Sequence, residues 1–319
     1  MSKKRKELSP DIVLKNYWND KEQFVDLFNG VLFDGEQIIK ADELEDMDTE
    51  ESTVIEHKKY AESIKAARDN IKIRKRSTVY GIELVLLGLE SQEYIHYAMP
   101  MRVMGYDYAA YKKQYDNNAQ KYKTADGLRE DEFLSRMKKE DKFIPVITVV
   151  VYYGEKDWDG AKSLHEMLNI PEKMRKYVND YRMFLVEAKE NNLVLHNVNN
   201  RDLFNLLEIL LDTGLPKNKV KEKAIQYSEE HEIEKTVIMT VAGATNTKLD
   251  YNLLTEGEDR MCTVFKEIAK EGEVRGEAKG IVETGLEFGL SENDILNRLQ
   301  KKLDVSLQMA QEYLEMFGK

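Results

Sequence analysis

The chain has 319 residues, of which 42% are hydrophobic and 34% charged, and a formal net charge of −11 at pH 7. That length suits one large domain or two ordinary ones. Several classes are excluded: no apolar run approaches the roughly 18 residues of a membrane span, the opening MSKKRKELSP lacks the apolar core of a secretory signal, and the single cysteine, Cys262, rules out an internal disulfide and a cysteine-rich zinc site.

These features predict an intracellular protein, cytoplasmic by default, with no membrane partner. The acidic balance weighs against nucleic-acid binding, although local fields decide what a cleft attracts. Basic residues concentrate at 72–76, 136–139 and 217–223, and each cluster reads most simply as a solvated face.

Taken in order, apolar residues from Val13 to Leu32 recur near helical spacing and predict one helix over 11–32. A glycine-centred turn, FDGEQ (33–37), ends it. The acidic stretch 41–51 reads as an exposed loop or short helix. From Asp69 the pattern changes to period two. Ile71 and Ile73 alternate with polar residues, a turn follows at Tyr80-Gly81, and 82–92 reads as a more buried strand. A helix begins near Pro100, with Met101, Met104, Tyr108 and Tyr111 as its apolar stripe and Arg102 on another face. The run FIPVITVVVYYG (143–154) is a strand covered on both faces, and KDWDGAKSLHEML opens a loop and helix. From Arg201 onward the pattern is helical throughout. Ser291 and Ser306 read as helix starts. Gly272, Gly276 and Gly280 recur at four-residue spacing, marking either a loosened helix or a close helix–helix approach, such as a homodimer through the C-terminal helices. Strands interleaved with helices give an α/β layer architecture, with boundaries at 1–210 and 211–319.

One constellation carries chemistry. Antiparallel pairing around Tyr80-Gly81 brings Asp69, at the start of the first strand, near Glu90 and Gln92, which share a face of the second. Two carboxylates converging at a strand end make an all-oxygen site suited to Mg²⁺ or Mn²⁺. Other chemistries lack support. The five histidines show no H-x-x-x-H spacing, no G-x-x-x-x-G-K-[ST] loop is present, and the serine of LESQE lacks the glycines of a nucleophile elbow.

RDNIK (68–72), LLGLESQ (86–92), HYAMPMRVMGYDYAAY (96–111), FVDLFNGVLFDGEQII (24–39), VVVYYGEKDWDGAKSLHEML (150–168) and the closing ILNRLQKKLDVSLQMAQEYL occur in one collinear order. In them the chain resembles the recombination-promoting nuclease (Rpn) family, also described as PD-(D/E)XK nuclease family transposases or YhgA-like transposases. The resemblance implies a restriction-endonuclease-like core, a mixed sheet flanked by helices, that cuts DNA with a divalent metal. It makes Asp69, Glu90 and Gln92 the catalytic set, the last two as an E-x-Q in place of acid-x-Lys, with Asp69 and Glu90 holding the metal. Asp26 is the candidate accessory acid from the first helix. Arg102, Lys72 and Arg74 are the candidate contacts to DNA phosphates. The alternative is a catalytically inactive relative that uses the same fold to bind DNA or a protein partner. A purely helical interaction protein is disfavoured by the strand patterns near 82–89 and 143–153.

Overall fold

The computed structural model describes residues 10–46, 50–57, 60–67, 70–78, 81–190, 192–245 and 261–318, with backbone alone for 10–12, 50–90, 217 and 261–272. They fall into two compact units, residues 11–205 and residues from 206 onward.

The first unit opens with two helices where the periodicity predicts one, α1 (Pro10–Tyr17) and α2 (Lys21–Phe33). Asp20 makes the break. Its backbone is extended, and its carboxylate accepts from the N–H groups of Glu22 at 2.9 Å and Gln23 at 3.0 Å. An aspartate in that role satisfies amide donors that a helix start leaves open, which favours a new helix over continuation of the old one. The apolar periodicity survives the break because Trp18, Phe24, Leu27 and Phe28 are all fully buried. Asp34 and Gly35, both at positive φ, end α2 where the turn is predicted.

The acidic segment holds a 3-10 turn (Ala41–Glu43) and then β1 (Leu44–Asp46), so part of it is strand rather than loop. β2 (Glu50–His57) and β3 (Tyr60–Ala67) form a separate antiparallel pair. β4 (Asn70–Thr78) and β5 (Gly81–Gln92) are the predicted hairpin, antiparallel, with Asn70 opposite Leu89 and Thr78 opposite Gly81. The two connecting residues between those last partners lie outside the described residues, and so does Asp69. β1 pairs antiparallel with the outer side of β4. Helix α3 (Met99–Tyr122) and the short α4 (Glu130–Ser135) lead to β6 (Val146–Tyr152), parallel to β5. After α5 (Leu164–Met167), β7 (Phe184–Glu187) pairs parallel with β6. The sheet order is β1-β4-β5-β6-β7, half antiparallel and half parallel, in a mixed α/β unit.

β6 is buried along nearly its whole length, as its continuous apolar run predicts for a strand covered on both faces. On one face Met99 and Val103 of α3 pack with Val150, Tyr152, Trp158 and Met183. The predicted stripe of α3 is therefore misplaced. Met101 is 52% and Tyr108 46% exposed, whereas Met99, Val103, Tyr106 and Ala110, spaced four, three and four apart, are buried. Both sets have helical periodicity, and only the position of the sheet selects between them. β7 has no counterpart in the sequence reading. Its four residues, FLVE, are too few to register as a period.

Helix α6 (Val198–Leu210) spans the boundary between the units. Beyond it come α7 (Lys217–Glu230), α8 (Lys235–Ala244), α9 (Met261–Glu287), α10 (Glu292–Leu303) and α11 (Leu307–Phe317). Ser291 and Ser306 cap α10 and α11 as predicted, accepting from the N–H groups of Asp294 and Met309 at 3.2 Å each. The last three helices share a core of Ala278, Val282, Ile295, Leu299 and Ala310.

The predicted glycine spacing lies on α9; of Gly280 and Gly285, the two glycines of that helix whose surroundings are described, the close approach is at Gly285. A Cβ there would stand 2.7 Å from Cγ1 of the fully buried Ile295, whereas one at Gly280 would meet no described atom within 4 Å. Gly280→Ala is expected to stabilise this unit, since alanine gains up to about 1 kcal/mol over glycine inside a helix. Gly285→Ala gains the same propensity but overpacks a buried branch point at a cost of about 1–3 kcal/mol, so its melting temperature falls. Thermal melts of the two variants check the opposite signs, and a fall for Gly280→Ala would reveal a partner helix on that face.

Candidate active site at the sheet edge

β5, β6 and β7 run parallel, and their last residues, Gln92, Tyr152 and Glu187, lie side by side in register. β5 feeds through Glu93–Ala98 into α3, so the amino end of a 24-residue helix stands beside that edge. Its first turn carries no acidic side chain and Pro100 fills an early position, so the helix itself does not offset the positive end of its dipole. In open sheets with parallel strands, this carboxyl edge is where ligands are usually met.

Of the residues nominated by the sequence, the structure brings Gln92 and Arg102 together. The guanidinium of Arg102 donates to Oε1 of Gln92 at 3.5 Å, the outer limit of a hydrogen bond, through Nη1. Nε and Nη2 donate to the hydroxyl of Tyr106 at 3.1 and 2.6 Å, and the cation lies 5.6 Å from the centre of that ring. Tyr106, one turn along α3, thus aims Arg102 toward the strand end. The i, i+4 spacing of the two was visible in the sequence but carried no signal of direction. Gln92 Nε2 donates to the carbonyl of Ser91 at 2.9 Å.

The neighbouring strand ends are fixed rather than open. Glu187 Oε2 accepts from the N–H of Trp158 at 2.9 Å, and Oε1 lies 3.3 Å from Lys162 Nζ. Burial, with the charge of Glu187 adding to it, pushes the Tyr152 phenol up to about 12, so it remains a neutral hydroxyl. On α3, Asp107 is buried and accepts from Thr148 Oγ1 at 2.6 Å and from the Tyr181 hydroxyl. That ties the helix to β6 and to the segment before β7.

The other nominated residues fall elsewhere or outside the described set. Glu90 lies on β5 opposite Val150, two residues before Gln92, and its side chain is not among those described. Asp69 lies outside the described residues altogether. Lys72 and Arg74 sit on β4 opposite Leu87 and Val85. By strand alternation those are positions of the face opposite to that of residues 90 and 92, so the register does not gather these two basic residues at the Gln92 edge.

Asp26 is 3% exposed, and both its oxygens are engaged. Oδ1 accepts from the His196 N–H at 2.7 Å and Oδ2 from Asn200 Nδ2 at 2.9 Å. Asn200 in turn donates to the carbonyl of Gln23 at 2.8 Å and accepts from the Tyr17 hydroxyl at 2.9 Å. This closed network clamps α2 to the segment entering α6, and burial holds the Tyr17 phenol well above its ordinary range.

Among the described residues, no group of three or more His, Cys, Asp or Glu side chains stands together as a metal would need. The carboxylates at 69 and 90 are not among those side chains. No helix of the described residues is long and apolar enough to cross a membrane. Comparison with protein-family models, curated proteins and solved structures finds no match to this chain.

Proposed function

We propose that this chain is a divalent-metal-dependent DNA endonuclease of the Rpn type, built on a restriction-endonuclease-like core, with Asp69, Glu90 and Gln92 as its catalytic set. The observation that carries the reading is the Arg102–Gln92 pair at the carboxyl end of β5, beside the amino end of α3, in a mixed sheet flanked by helices. The last described rung of the β4–β5 ladder is Asn70 opposite Leu89. Asp69 lies outside the described residues, so its place in the set rests on the sequence pattern that puts it before the first strand of the hairpin.

The metal would be held by the two carboxylates of Asp69 and Glu90, an all-oxygen pair that suits Mg²⁺ or Mn²⁺. Such a cation, when bound, supplies Lewis acidity at the phosphoryl oxygen and a more acidic water. Gln92 does not titrate near neutral pH, so it orients water or a phosphate oxygen rather than taking a proton. Arg102, forked and cationic, holds a backbone phosphate, and the helix end adds its dipole to the same task. A cytoplasmic location and a homodimer through the C-terminal helices belong to this reading.

Purified protein incubated with supercoiled plasmid tests it. Cutting is expected with Mg²⁺ or Mn²⁺, abolished by EDTA and restored by excess metal. Cutting that persists in EDTA overturns the mechanism. DNA retention that weakens with salt, without cutting under any metal, favours the inactive DNA-binding relative instead.

A further inference from the structure

Between Gln92 and α3 lie six residues, Glu93 to Ala98, whose chemistry the catalytic reading does not use. Ile95 packs against the cluster of Met99, Tyr152 and Trp158. On either side of that anchor Tyr94 is 62% and Tyr97 65% exposed. Ala98 is the N-cap of α3, which makes Tyr97 the residue before the cap and Arg102 the fourth of the helix. Those two positions lie on one side of a first turn, where a hydrophobic staple forms in other helices. Met101, in the same first turn, is 52% exposed.

We infer that Tyr94 and Tyr97 form a stacking platform for unpaired bases, so that the substrate is single-stranded or locally opened DNA. The inference rests on the nuclease reading and names its substrate class. Exposed rings just ahead of the helix turn that carries Arg102, the residue proposed above to hold a phosphate, match the two parts of a nucleotide, whose base presents a π-face and whose phosphate is an anion. In a closed duplex the base faces are already stacked, so the rings have nothing to meet. Charge argues the same way. A chain of net charge −11 is poorly suited to gather duplex phosphates, and stacking supplies affinity that does not depend on neutralising them.

The test is binding in EDTA, where no strand is cut. Fluorescence anisotropy compares a labelled single strand of about 16 nucleotides, the matching duplex, and a single strand of the same length lacking its bases. The wild type is expected to bind the normal single strand at least about tenfold tighter than either of the others, and Tyr94→Ala and Tyr97→Ala to lose about tenfold each on that strand alone. Phenylalanine at either position restores binding, because the ring rather than the hydroxyl is required. Melting temperatures stay unchanged, since both rings lie outside the core. Equal affinity for the normal and baseless strands, or alanine variants that bind like the wild type, overturns the platform while leaving metal-dependent plasmid cutting intact. A wild type that cuts no plasmid and retains none of the three ligands overturns both readings.

Discussion

Glu90→Ala reduces metal-dependent plasmid cleavage to background, while Gln92→Ala keeps a residual rate about 10²-fold below the wild type. The two positions share one strand face at the end of β5, yet the groups removed differ in kind. On the proposed reading Glu90 contributes a charged oxygen ligand, and its loss would lower both metal occupancy and stabilisation of the charge that develops on phosphorus. Gln92 contributes a neutral hydrogen-bonding group, of the type whose deletion costs roughly 3 kcal/mol in oxyanion sites. Its present partner Arg102 is expected to keep its two bonds to Tyr106 when the carboxamide is gone, so the contact proposed to a phosphate would persist. Both variants are expected to fold, which circular dichroism and a melting curve establish before rates are compared. A folded Glu90→Ala protein that cuts like the wild type places the chemistry elsewhere.

Asp26→Ala lowers the stability of the first unit by about 2–4 kcal/mol, because hydrogen bonds to a buried charged group contribute roughly 1.5–3 kcal/mol each and their former donors are left unmet. For a unit of this size that is a fall of roughly 10 °C in melting temperature. The partners at stake are the His196 N–H and Asn200 Nδ2. Asp26→Asn, which keeps one acceptor and the shape, separates this clamp from a role as accessory acid. If the clamp is the whole role, the folded Asn variant cuts DNA at the wild-type rate below its melting temperature, with unchanged dependence on Mg²⁺. Loss of cutting in a folded, fully melting-competent Asn variant assigns the carboxylate to the metal.

Much of the architecture is written in local pattern. The β4–β5 hairpin shows as period-two alternation across a turn, β6 as an unbroken apolar run, and the caps of α10 and α11 as serines placed ahead of helical periodicity. Each of these signals is carried by residues close in the chain, where propensity and burial agree. The α2 cap was equally local but was hidden, because the apolar residues on both sides of Asp20 keep helical spacing through the break.

Tertiary structure decided the rest. Which face of α3 is buried depends on where the sheet lies, and Met101 and Tyr108 were the wrong side of a helix apolar on more than one face. The partners of Asp26 come from residues 196 and 200, some 170 positions away, so its sequence neighbours could not distinguish a buried clamp from a site acid. The same holds at the sheet edge. The sequence by itself determined that Glu90 and Gln92 share a strand face and that a helix with Arg102 follows. Only the parallel alignment of β5 with β6 and β7, and the packing of Met99 and Val103 onto that face, turned Arg102 back onto Gln92 and set Tyr152 and Glu187 beside it. Alternation along a strand is a property of the chain, whereas the direction in which a helix returns over a sheet is settled by the apolar surface it buries there.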